Sequence, residues 1–443
     1  MAAGRRALST LVTFVCFAPR VLGVQPPPQP QPPASPPPAP SPAGTAPMAV
    51  VTFDEAVRRA LAANPDVAQA AQTILRAEAV LHGTRSVHWP AVNATVTTTM
   101  LNEERGFNGL VTQPQTQSAL AGAVAYPVLS AARWAQVVQA GDRVRVARIG
   151  AEETRRQVAI AAAQAYLAIV TRRRQVEVNE RALANAQVHL DYATTRLEAG
   201  AGSKLNEVRA AQELESIRVV LEATHLAVTR AQEALGVILA IDAPVDAGPE
   251  PGFEIPVTTD DAWLAARTDV RLSAAQVEAA ERVASDSWKD WVPVGTASFL
   301  PVWLTPAGLF QPSRTWSAVL QFGVPVFDGG QRKALSRERE TLAEAARIDL
   351  GDVRLRARSE LRAAYATVES TQRGLESARL AAKHAAEVVR ITDIAFRAGA
   401  TTNLEVIDAQ RRARDTDTAA TVAEDFVRLA RLDLLVALGR FPN

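Results

Sequence analysis

Few side chains in this sequence are spaced for chemistry, and those that are share helical faces rather than converging on a cleft. Glu405 and Asp408 stand three apart just after Gly399-Ala400, so they lie on one face of any helix that starts there. Two acids so placed complement the positive end of a helix dipole, and they also favour cations and bind water. His82 and His88 are six apart with no carboxylate between them, a spacing that suits a helix exit better than a metal site. His189, His225 and His384 stand singly in long helical stretches. Arg172-Arg173-Arg174 has neither a phosphate-cradling glycine loop nor a nucleophile elbow beside it and reads as a solvated helix face. No acid, base, nucleophile or metal set converges, so neither an enzyme nor a cofactor is expected.

Composition narrows the classes further. With 443 residues, 48% of them hydrophobic, there is material for a large core or several small ones. The 48 basic and 47 acidic residues nearly cancel, which argues against nucleic acid as a partner. The single cysteine, Cys16, excludes an intramolecular disulfide and a thiolate metal cage. Residues 1–24 read as an export signal, with Arg5-Arg6, an apolar Ala7 to Ala18 and small residues at Val21-Leu22-Gly23. Thr13-Phe14-Val15 lacks the small residue that precedes a lipid-bearing cysteine, so Cys16 is expected to leave with the signal. Residues 25–47 hold 12 prolines in 23 positions and read as an extended linker, a spacer rather than a ligand for a proline-reading partner. No later run of about 18 apolar residues could form a membrane helix, so a membrane role would fall to strands.

The elements that position these residues are written twice. Arg196-Leu197-Glu198-Ala199-Gly200-Ala201 recurs as Ala395-Phe396-Arg397-Ala398-Gly399-Ala400, a shift of 199 residues that also aligns Tyr166 with Tyr365, Leu205 with Leu404 and Leu235 with Leu434. Residues 48–241 form a first repeat, 242–259 a proline-bearing linker and 260–443 a second repeat. In the first, Thr52 caps a helix running to about Ser86, and extended stretches follow at Ala91 to Leu101 and Gln117 to Val128. A rod without proline then runs to Glu198, turns at Ala199 to Gly202 and returns with Leu214, Ile217, Leu221, Val228, Ala231, Leu235 and Ile238 in a heptad seam. The second repeat follows the same order: a helix from Asp260 to Asp290, strands at Val294 to Leu304 and Thr315 to Val324, then a rod to Ala398. Its return places Val422, Phe426, Leu429 and Val436 on one side. The expected fold is mostly α with β, with four strands per chain. Four strands cannot close a barrel, so a membrane role would require several chains to share one.

The motifs resemble the TolC-like outer-membrane factor family of Gram-negative bacteria over about Ala49 to Gly439. They are Leu61-Ala62-Ala63-Asn64-Pro65-Asp66, the strand-to-rod corners Tyr126-Pro127-Val128-Leu129 and Val324-Pro325-Val326-Phe327-Asp328-Gly329-Gly330, and the segments Leu205 to Ala210 and Leu404 to Ala409 that follow the Ala-Gly turns. The resemblance implies a homotrimer, with a twelve-stranded β-barrel in outer-membrane lipid continuing into a periplasmic α-helical barrel. It implies the exit duct of a tripartite efflux pump or a type I secretion system, joined to a periplasmic adaptor and an inner-membrane transporter. Glu405 and Asp408 become pore-gate residues, and Gly200, Ala201, Gly399 and Ala400 the adaptor-docking tips. Asn206 stands where relatives often carry an acid, and Thr401 replaces a basic residue of some relatives. Trp89, Trp288, Trp291, Trp303 and Trp316 cluster around the strands, as a membrane-interface belt or as packing at the barrel-to-rod corner. The alternative is an exported soluble coiled-coil scaffold or periplasmic adaptor, but an adaptor places its strands around one central hairpin, whereas here they flank two equivalent rods.

Overall fold

The computed structural model describes residues 48–254 and 262–442, so the expected signal and proline-rich segments lie outside the described residues, as do positions 255–259 of the linker. After β1 (Ala49–Val51), the Thr52 hydroxyl accepts from the Glu55 amide at 3.3 Å and opens α1 (Phe53–Ala63). The single helix expected to Ser86 is instead broken at Asn64, and α2 (Pro65–Ser86) starts afresh. Pro65 has no amide hydrogen and pushes Asn64 to ψ 132°, out of the helical region.

β2 (Ala91–Met100) leads to a hairpin of β3 (Arg105–Phe107) and β4 (Leu110–Gln113), which the polar segment 102–116 had not revealed. Asn108-Gly109, both at positive φ, makes its two-residue turn. β5 (Thr116–Leu129) runs into the rod α3 (Ala131–Glu198), which returns as α4 (Lys204–Ile238). At 1.5 Å per residue α3 is about 100 Å long. The linker contains a further strand, β6 (Val245–Ala247), paired in parallel with β1. Three-residue strands are too short to reveal a period of two, yet Val51, Val245 and Ala247 are all buried.

In the second repeat the expected helix is likewise divided, into α5 (Ala262–Ala266), α6 (Thr268–Ser285) and a 3₁₀ turn at Asp286–Trp291. Here the break is at Arg267, without a proline. The two breaks share a task. The Asn64 amide donates to the Ile238 carbonyl at 3.0 Å, and the Arg267 guanidinium donates to the Ala437 carbonyl at 3.2 Å. Ile238 and Ala437 end the two return helices 199 residues apart, so each break supplies a side chain to orphan helix-end carbonyls. β7 (Val294–Thr305), β8 (Arg314–Gly323), the rod α7 (Gln331–Arg397) and its return α8 (Asn403–Ala437) complete the described chain.

β2, β5, β7 and β8 form one antiparallel sheet in that order. Register places Val92, Val96, Leu120, Val124, Tyr126, Phe299, Trp303, Trp316, Leu320 and Phe322 on one face. The other face carries Asn93, Thr95, Thr97, Thr99, Gln117, Ser298, Ser317 and Gln321 among small and aliphatic residues. A sheet with an apolar face and a polar one suits lipid outside and water inside. Among the described residues, its outer strands β2 and β8 each have one unpaired edge.

The main core lies where β1, α1, α3, α4 and β6 meet, around the fully buried Tyr166, Ile169, Leu235 and Leu239. Leu214, Ile217 and Leu235 of the expected seam are buried; Leu221, Val228, Ala231 and Ile238 are half-buried. In the second half of α8, Val427, Ala430, Leu432, Leu434 and Ala437 are buried; of the expected set, Val422, Leu429 and Val436 are half-buried and Phe426 is 55% exposed. The Tyr166 hydroxyl donates to the Pro249 carbonyl at 2.7 Å, fastening the linker to α3. Tyr166→Phe should therefore lower stability by about 1 kcal/mol. Thermal unfolding in detergent reads the loss; an unchanged midpoint would mean that water satisfies the carbonyl equally well.

Candidate functional site

Both rods end in the same hydrogen-bonded turn. Gly200 (φ 73°) donates to Leu197 O at 3.0 Å and Ala201 to Arg196 O at 2.9 Å; Gly399 (φ 76°) donates to Phe396 O at 3.0 Å and Ala400 to Ala395 O at 2.8 Å. This double bonding closes a helix on a left-handed residue, which is why glycine stands at both turns. The return helices are capped differently. Ser203 accepts from the Leu205 amide at 3.2 Å, whereas Thr402 and Glu405 form a reciprocal capping box in which Glu405 Oε2 accepts from the Thr402 amide at 3.3 Å. Glu405 thus caps its own helix. Asp408 pairs with Arg412 at 2.9 Å, both side chains mostly exposed.

The two turns line one cleft of about 620 Å³ with Arg196, Asn206, Arg209, Phe396, Thr401 and Asn403. Asn206 acts there through its backbone: its carbonyl accepts from the Asn403 amide at 3.1 Å. That fixes the Asn403 oxygen toward His189, so His189 Nε2 carries a hydrogen and donates to it. Asn403 is only 2% exposed, and the buried His189 packs on Phe396, whose ring in turn meets Tyr192. Burial pushes the His189 pKa down, opposed by the Asn403 hydrogen bond and the Asp393 charge. Arg196 and Arg397 lie over the Tyr192 ring at 5.9 and 5.8 Å.

A second cross-tie joins the hairpins higher up. Glu213 of α4, its side chain 4% exposed, accepts from Arg411 Nε of α8 at 2.6 Å, with Arg414 3.9 Å away. Neither Asn403 nor Glu213 stands out in the sequence, because each acquires its partner only when the repeats pack together.

The tryptophans separate into two groups. Trp303 and Trp316 lie on the apolar sheet face, Trp316 with its ring 5.8 Å from Phe299. Trp89 follows α2, while Trp288 and Trp291 lie in the 3₁₀ turn before β7. Arg332 stacks 4.5 Å above Trp291 and binds Asp328 at 2.6 Å, fixing the strand-to-rod corner. Among the described residues no group of histidine, cysteine and acidic side chains is arranged to hold a metal, and no helix is long and apolar enough to cross a membrane.

The sequence profile of the outer membrane efflux protein family matches residues 56–240 and 261–440, both repeats. The chain belongs to that family. This efflux protein is 25% identical over 309 residues to outer membrane protein OprJ of Pseudomonas aeruginosa, a match covering 66% of this chain and 64% of OprJ, less than two thirds of that relative. Its fold is similar to that of CusC, with a TM-score of 0.79 at 16% identity over 88% of this chain and 92% of the other. The CmeC outer membrane channel of Campylobacter jejuni gives a TM-score of 0.77 at 15% identity, over 88% and 87% of the two chains. The efflux protein therefore has the fold of known outer-membrane channels.

Proposed function

We propose that three copies of this efflux protein join β8 of one to β2 of the next, closing a twelve-stranded barrel in the outer membrane above a helical tube. The observation that carries this reading is a four-stranded sheet with one apolar face and two unpaired edges, since open edges are not tolerated in lipid. The trimer is the exit duct of a tripartite efflux pump or a type I secretion system and performs no chemistry of its own. The turns at Gly200-Ala201 and Gly399-Ala400 are its docking tips for a periplasmic adaptor, which links it to an inner-membrane transporter. The face of α8 bearing Glu405 and Asp408 lines the narrow periplasmic end as a gate. Protein extracted by detergent from outer-membrane fractions should have the mass of a trimer and form discrete channels in planar bilayers. A water-soluble monomer or dimer without channels would overturn the barrel and favour the scaffold reading.

A further inference from the structure

Two acids at a constriction would ordinarily mean a cation-selective duct, but α8 carries a compensating charge on the same face. The helix is flanked by its own chain on two sides: Ala430 and Leu434 pack on Ala364 and Val368 of α7, and Leu432 packs with Leu167 and Ala163 of α3. The positions left exposed include Glu405, Asp408, Arg412, Asp415, Ala419 and Phe426, spaced by 3, 4, 3, 4 and 7. That is a heptad stripe, which a supercoiled helix holds on one side along its length. Arg412 therefore shares the side of Glu405 and Asp408. Arg411, by contrast, turns off the stripe to Glu213.

We propose that Arg412 is a selectivity-setting residue of the duct, offsetting the Asp408 ring so that the constriction is less cation-selective than its acids alone would make it. The proposal rests on the reading that the Glu405 and Asp408 face lines the channel. Along the stripe the signs run minus, minus, plus, minus from Glu405 to Asp415. Asp408 and Arg412 are one turn apart, about 6 Å along the axis, inside the Debye length of about 8 Å at physiological salt. At that spacing an ion entering the constriction feels the two rings as a sum close to zero. The Asp408 to Arg412 contact of 2.9 Å places the compensating charges side by side within one chain, so the offset does not depend on how the copies are rotated.

The test is the reversal potential of trimers in planar bilayers under a potassium chloride gradient, for the wild type, Asp408→Asn, Arg412→Gln and the double variant. The two side chains are 56% and 75% exposed, so the fold should tolerate all three. Arg412→Gln should raise the potassium-to-chloride permeability ratio by about twofold or more, and Asp408→Asn should lower it by a similar factor; in about 1 M salt, where the Debye length is about 3 Å, both changes should shrink. The double variant should return to the wild-type ratio, because it restores the summed charge. Such a return is not what a merely structural role would give. If Asp408→Asn moves the ratio and Arg412→Gln does not, or the double variant stays at the Asp408→Asn value, the proposal fails while the channel-lining reading stands. If neither single variant moves it, and Arg412→Cys treated with a charged thiol reagent leaves the current unchanged, the channel-lining reading itself fails.

Discussion

Asn403→Ala should raise the open fraction of the channel by about tenfold or more. Asn403 ties the start of α8 to both α3 and α4, accepting from His189 and donating to the Asn206 carbonyl. Alanine would leave the buried His189 ring N–H unpaired, at about 1–3 kcal/mol, and about 1.4 kcal/mol is already a factor of ten in an equilibrium. Separation of the hairpins lets water reach the ring, so the penalty falls on the packed tip and not on the open one. Single-channel recording reads the effect directly. An open fraction unchanged from wild type would show that the tip is held elsewhere.

Burial of His189 makes the packed tip sensitive to acid. Burial lowers the His189 pKa, so the packed tip favours neutral imidazole. Its contribution is complete above the unperturbed value of about 6.5 and is lost as pH falls from there toward the depressed value. The groups acting on the ring are the Asn403 amide, the Phe396 ring and the Asp393 carboxylate, which opposes the shift. The open fraction should rise below pH about 6.5, and His189→Gln, which keeps a donor for Asn403 but cannot titrate there, should flatten that rise.

What the sequence made legible is what repeats. The 199-residue shift, the four long strands, the proline-free rods and the glycine turns each depend on local spacing, and the structure places the long strands, the turns and the rod ends within a residue or two of expectation. The helix breaks were harder to see. Pro65 announces the first, but the second rests on Arg267 reaching Ala437, a contact 170 residues away that no local pattern encodes. β6 was hidden because its partner β1 lies nearly two hundred residues earlier. His189 looked like a solitary histidine for the same reason: Asn403 is 214 residues distant. A signal was nevertheless present in the register. Arg411 and Glu213 are 198 apart, close to the repeat shift, as expected where equivalent turns of two return helices face each other.

That ion pair should respond unequally to loss of its two members. Arg411→Ala leaves the Glu213 carboxylate buried, with Arg414 at 3.9 Å as its nearest remaining cation, and should cost about 3 kcal/mol, the low end for orphaning a buried charge. Glu213→Ala instead frees an arginine whose side chain is already 48% exposed and can turn to water, so the loss should be about 1 kcal/mol. The double variant should resemble Glu213→Ala, because the costly species, an unpaired buried carboxylate, is then absent. Thermal unfolding of the detergent-solubilised protein measures all three, and equal losses for the two single variants would mean that water reaches Glu213. The position of the pair gives the asymmetry a functional edge. Arg411 lies eight residues beyond Asn403, about 12 Å up the rod, so Arg411→Ala loosens the hairpins above the tip while leaving the His189 tie in place. Arg411→Ala should therefore lose more stability than it gains in open fraction, the opposite balance to Asn403→Ala.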